Sequence, residues 1–142
     1  MSWASATRAW LAARFPERSL GDRGEDVAAR FLKRQRYYIL ARSLDSPLGE
    51  LDIVAVDGRT VVFVEVKTRR SDDAGRPEEA VDQLKQHRMT QAALAYLKSK
   101  RLLGYASRFD VIAVTWPDGA KRPTIEHFKN AFEPVGAGQF FS

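Results

Sequence analysis

Four charged side chains interrupt a stretch otherwise rich in Val, Ile and Phe: Glu50, Asp52, Glu65 and Lys67, within GELDIVAVDGRTVVFVEVKTR at 49–69. On a strand, residues two apart share a face, and so do partners across a hairpin. With Asp57 and Gly58 as a two-residue turn, paired residue numbers sum to 115. Glu50 then faces Glu65, Asp52 faces Phe63, and Lys67 lies one step beyond on the same side. Val54, Val56, Val61 and Phe63 continue that face, while Leu51, Ile53, Ala55, Val62, Val64 and Val66 make the other, which is apolar throughout. Carboxylates crowded in this way repel unless a cation sits among them or one is protonated. A hard, oxygen-seeking ion such as Mg²⁺ or Mn²⁺ suits them. The alternatives are a cross-strand ion pair with Lys67, or charges that blunt an exposed edge. Neither requires three like charges together.

Helical phasing adds further candidates. Glu25 shares a side with Ala28, Ala29 and Leu32, so it leans toward a core. Lys85 lies in line with Val81, Met89 and Ala92, with Arg88 beside it and Gln83 on the opposite side. A lysine so placed can also snorkel, and a glutamate near a helix start can serve the dipole alone.

These residues need elements to hold them. Apolar periodicity predicts a helix over 21–37, a strand over 38–43, strands over 51–56 and 60–66, and a helix from Pro77 to about Arg101. In that second helix Glu78, Glu79 and Asp82 would sit in the first turns and Lys98, Lys100 and Arg101 in the last, with Gly104 beyond. A strand over 108–116 stops at Pro117-Asp118-Gly119, and residues 123–128 add a short edge strand. The order is that of one α/β domain with a mixed sheet flanked by helices, α-β-β-β-α-β. It is expected over 19–133, after an Arg-rich N-terminal extension (1–18) of helical or flexible character and before a tail (134–142).

Composition narrows the function. The 142 residues are 44% hydrophobic, enough for a core, and contain no cysteine, which excludes thiolate chemistry. The histidines, His87 and His127, are too far apart in sequence to suggest a zinc motif. No apolar run approaches the ~20 residues of a membrane span. A soluble, cytoplasmic domain is expected. The net charge of +5 hides a segregation: residues 44–66 carry one basic side chain against five acidic, between basic blocks on either side. Basic flanks suit a polyanion, and an acidic island within them repels phosphate unless a cation bridges the two.

Asp52 followed by Glu65-Val66-Lys67 resembles the PD-(D/E)XK motif of metal-dependent nucleases. The blocks GEDVAARFL (24–32), GELDIVA (49–55), VFVEVKTR (62–69), the Lys85 helix, RFDVIAV (108–114) and NAF (130–132) together resemble the YraN-like family of uncharacterised bacterial proteins. Residues 43–48 depart from the basic, Asn-led loop expected before GELD. The resemblance implies a restriction-endonuclease-like core, similar to archaeal Holliday-junction resolvases. By it, Asp52 and Glu65, with Glu25, would be catalytic and would hold Mg²⁺ or Mn²⁺. Lys67 would assist the attacking water, and Lys85 and Arg88 could bind the substrate backbone. The expected activity is phosphodiester hydrolysis in DNA, on branched or repair intermediates; the alternative is a nucleic-acid-binding module without turnover. Cleavage of a symmetric junction would call for a homodimer.

Overall fold

A computed structural model of the chain describes residues 19–71 and 81–135. The expected N-terminal extension, Pro77, Glu78, Glu79 and most of the tail lie outside them. The elements are α1 (Leu20–Arg34), β1 (Tyr38–Ser46), β2 (Gly49–Asp57), β3 (Thr60–Arg69), α2 (Gln83–Ser99), β4 (Ser107–Thr115) and β5 (Thr124–Phe132). The five strands form one sheet in chain order. All neighbours are antiparallel except β3 and β4, which run parallel with α2 in the connection between them. The α-β-β-β-α-β order is as expected, and the edge strand β5 is longer than the sequence suggested.

Among the described residues each face of the sheet carries one helix. Ala28, Ala29 and Leu32 of α1 pack on Ile53, Ala55, Val62, Val64, Ile112 and Val114. Met89, Ala92, Ala93 and Leu97 of α2 pack on Val54, Val61, Phe63, Phe109 and Val111. Leu32 and Leu97 are wholly enclosed, and such burial stabilises by roughly 1.5–3 kcal/mol per side chain. Gly24 brings α1 against β3: a Cβ there would stand 1.9 Å from Thr68 Oγ1. Among the described residues no helix is long and apolar enough to cross a membrane.

Both helices start on sequence signals. Ser19 accepts from Asp22 N–H at 3.1 Å, and Asp82 from Lys85 N–H at 2.8 Å, each satisfying a donor the helix leaves open. Asp82 is thus the N-cap, and the helix begins at Gln83 rather than at Pro77. Both C-termini reverse through a left-handed residue, Arg36 (φ +69°) and Arg101 (φ +58°). Tyr37 N–H returns to Leu32 O and Leu102 N–H to Leu97 O, the 6→1 bond of a Schellman turn. An arginine occupies the place that most favours glycine.

The hairpin register differs from expectation by two residues. Asp57 pairs with Thr60 and Ile53 with Val64, so numbers sum to 117 rather than 115, and Gly58-Arg59 form the turn. A shift of two leaves each side chain on its face. Leu51 is the exception: it joins the core under α2 rather than the apolar face under α1. The strand turns over between Leu51 and Ile53, opposite Ser43, which has φ +49°.

Candidate active site

The β2–β3 pairing ends at Ile53 and Val64. Just beyond, Val66 N–H donates not to a backbone carbonyl but to Asp52 Oδ2 at 2.9 Å. The strands open there, and the opening is where Asp52 and Glu65 meet. Glu65 is 3% exposed. Its Oε1 takes Lys85 Nζ at 2.5 Å and Lys67 Nζ at 3.5 Å, so two ammonium groups converge on one oxygen. Lys67 comes from the same strand two residues on, and Lys85 from the first turn of α2. Burial pulls the Lys85 ammonium down, but the hydrogen bond and charge of Glu65 outweigh it and hold the group above its ordinary value.

Asp52 is treated differently. Its pKa is pushed up to about 7, first by burial and then by the charge of Glu65, against the opposing Val66 N–H; Glu25 and Glu50 add to the rise. Glu50, Asp52, Glu65, Asp82, Lys85 and Arg88 line a cleft of about 370 Å³ between the strand ends and α2. Gly49 fixes the cleft's width: it has φ +154°, and a Cβ there would lie 3.1 Å from Arg88 O. Only glycine combines that backbone with that approach.

Glu25 is 8% exposed, on the face of α1 that phasing predicted, but it does not line this cleft. Its Oε1 accepts from Ser43 Oγ at 2.7 Å and lies 3.4 Å from Arg42 Nε. Arg42 also bonds Asp26 at 2.6 Å. The structure thus brings Asp52, Glu65, Lys67 and Lys85 together, sets exposed Arg88 at the rim, and holds Glu25 on the α1 side, where Asp52 feels its charge. The tether formed by Arg42 and Ser43 was not foreseen; the left-handed turn at Ser43 leaves no mark in hydropathy.

A second buried constellation was also missed. Asp110 has no exposed surface. It receives His127 Nε2 at 2.7 Å, Arg108 Nε at 3.0 Å and Asn130 N–H at 2.9 Å. Arg108 also donates to Tyr37 Oη at 2.8 Å and to Asp57 Oδ2 at 3.1 Å. Burial would raise the Asp110 carboxyl; His127, Arg108 and the Asn130 N–H together hold it below the usual range. Strand β5 bulges around it, with Asn130 at φ +53°. The RFD and NAF blocks supply Arg108, Asp110 and Asn130, half of this network, so they mark structure rather than the cleft.

The model of the uncharacterised protein family UPF0102 matches residues 24–114. The chain belongs to this family. A UPF0102 protein of Geobacter sulfurreducens is 53% identical over 116 residues, spanning 80% of this chain and 88% of the relative. One from Geotalea uraniireducens is 47% identical over 120 residues, 84% of this chain and 94% of its own. Another, from Rhodopirellula baltica, is 47% identical over 125 residues, 86% of this chain and 75% of the relative. The UPF0102 match spans Glu25, Asp52, Glu65, Lys67, Lys85, Arg88 and Asp110.

Proposed function

We propose that this UPF0102 protein is a metal-dependent nuclease that hydrolyses phosphodiester bonds in DNA, acting from the cleft between β2, β3 and α2. The observation that carries the reading is Asp52: a carboxyl beside Glu65, raised to about 7 by crowding and burial, gains most from a cation. The donor set is all oxygen, which suits Mg²⁺ or Mn²⁺. Among the described residues no three His, Asp or Glu side chains are gathered ready to hold an ion. Glu65 is engaged by its lysines and Glu25 by Arg42 and Ser43. Asp52 and Glu65 are thus the pair to hold the metal, with Glu25 a supporting charge.

A bound divalent ion would activate water and offset charge on the phosphate. The protein's own groups do the rest. Deprotonated Asp52 and Glu65 would hold such an ion. Lys85 and Lys67 neutralise Glu65 at rest, and can turn to a phosphate that enters beside it, stabilising the charge that develops there. Arg88 at the rim contacts the backbone. The tight Lys85–Glu65 pair favours a second reading, a DNA-binding module whose cleft is closed by its own lysine.

One assay separates the two. The protein is incubated with linear, single-stranded and four-way-junction DNA in Mg²⁺, Mn²⁺ or EDTA, beside Asp52→Ala. Cleavage that needs metal and disappears in the variant is the expected result. DNA bound but left intact under every metal condition would overturn the nuclease reading and leave the binding module.

A further inference from the structure

The sheet's other face carries a cleft of different character. It encloses about 400 Å³ between α1 and the β4–β5 connection, and among the described residues its charged lining is wholly basic: Arg30 and Arg34 on one wall, Lys121 and Arg122 on the other. Its floor is apolar, from Val27, Trp116, Pro123 and Ile125. Among the described residues none of these four cations forms an ion pair, whereas Arg42, Lys85 and Arg108 each have one or more. Arg30 and Arg34 stand four apart on one helix face, a spacing at which like charges repel. Four such groups around one hollow are unfavourable alone and are relieved by an anion.

The walls are also fixed in place. The Arg23 guanidinium lies 4.3 Å over the Trp116 ring, and Trp116 Nε1 donates to Ala120 O at 2.9 Å. Ala120 N–H in turn bonds Pro117 O at 3.0 Å, closing the turn that delivers Lys121 and Arg122. We infer that this cleft is a second, non-catalytic seat for the phosphate backbone of a nucleic acid. Cations on two facing walls suit a ligand that bears phosphates in series. The position fits as well. β3 and β4 run parallel, with Lys67 beside Ala113 and Arg69 beside Thr115. The cleft around Trp116 therefore opens at the same end of the sheet as Lys67, on the opposite face. One nucleic acid can then touch the carboxylate cleft and, further along, this one. The inference shares its partner class with the nuclease reading but none of its chemistry.

The experiment measures binding of a short duplex DNA to the full chain by fluorescence anisotropy, in EDTA, as salt is raised. Lys121→Ala combined with Arg122→Ala, both exposed loop positions, should weaken binding about tenfold near 0.1 M salt and flatten the dependence on log salt by about 1–2 units. The Arg34→Ala variant should act in the same direction, with thermal melting of each variant as the control for folding. Loss of binding without cleavage in any metal supports this cleft while removing the nuclease reading. Wild-type affinity and salt slope in all variants would overturn the inference, with the nuclease reading untouched. So would a wild type that ignores DNA but binds polyglutamate through these residues.

Discussion

Asp52 and Asp110 stand on the two strands that flank β3, the first half-buried and the second fully buried, and the fold treats them in opposite ways. Asp110 receives an imidazole, a guanidinium and a backbone N–H, and its carboxyl is held below the usual range. Asp52 receives one backbone N–H and feels the charge of three other carboxylates, and its carboxyl rises to about 7. A buried acid surrounded by donors contributes to folding. A partly buried acid left short of donors is a candidate functional site. The inventory of partners, more than burial, separates the two.

The largest effect should come from the satisfied acid. Asp110→Asn leaves Arg108 without its buried partner, and breaking such a pair costs about 3–5 kcal/mol. The midpoint of urea unfolding should fall accordingly. Because its folded pKa is depressed, the carboxylate's contribution is present above pH ~4 and is lost as pH falls further. A loss below about 1 kcal/mol would break the contrast.

Asp52→Asn should act the other way. Asp52 gives up its proton near 3.8 when unfolded but near 7 when folded. Stability therefore falls as pH rises between these values, by at most about 4 kcal/mol and by less once solvent screening is counted. The variant should gain about 1–3 kcal/mol at pH 8, roughly 40% of that at pH 5 and almost nothing below pH ~3.5, as read by thermal melting. Mg²⁺ or Mn²⁺ should raise the melting temperature of the wild type at pH 8 and leave the variant unmoved. A variant less stable than wild type at pH 8 would make Asp52 a second structural acid.

The smallest effect supplies a baseline with no carboxylate involved. Arg101→Gly places glycine where φ is +58° and should stabilise by roughly 0.5–1 kcal/mol, equally at pH 5 and pH 8 and with or without metal. A pH-dependent gain there would show that the charge of Arg101, rather than its backbone, is what matters.

Much of this was legible in the chain, for reasons that differ by residue. Period-two and period-3.6 patterns gave the strands, both helices and the faces of Glu25 and Lys85, because burial enforces periodicity. The register was misjudged by two, since Asp57-Gly58 and Gly58-Arg59 are both plausible turns and hydropathy is blind to a shift of two. Leu51 was misplaced because a strand that turns over keeps its composition. The partners of Asp110 were not legible at all. Arg108 shares β4 with Asp110, but His127 and Asn130 come from β5 and Tyr37, which bonds Arg108, from the turn after α1, and only the folded sheet brings them together. The motif blocks therefore flagged two centres with one signal, and it took the geometry to separate them.

The bulge that lets Asn130 reach Asp110 has an effect outside the molecule. Among the described residues β1 and β5 are the edges of an open sheet, and an unguarded edge is a template on which another chain can add a strand. Both edges are broken: β1 shifts register between Ile39 and Ala41, and β5 departs from β4 opposite Asp110. An incoming strand would lose its ladder within a few residues on either side. The device that satisfies one buried carboxylate thus also helps to keep copies of the protein from zipping into aggregates.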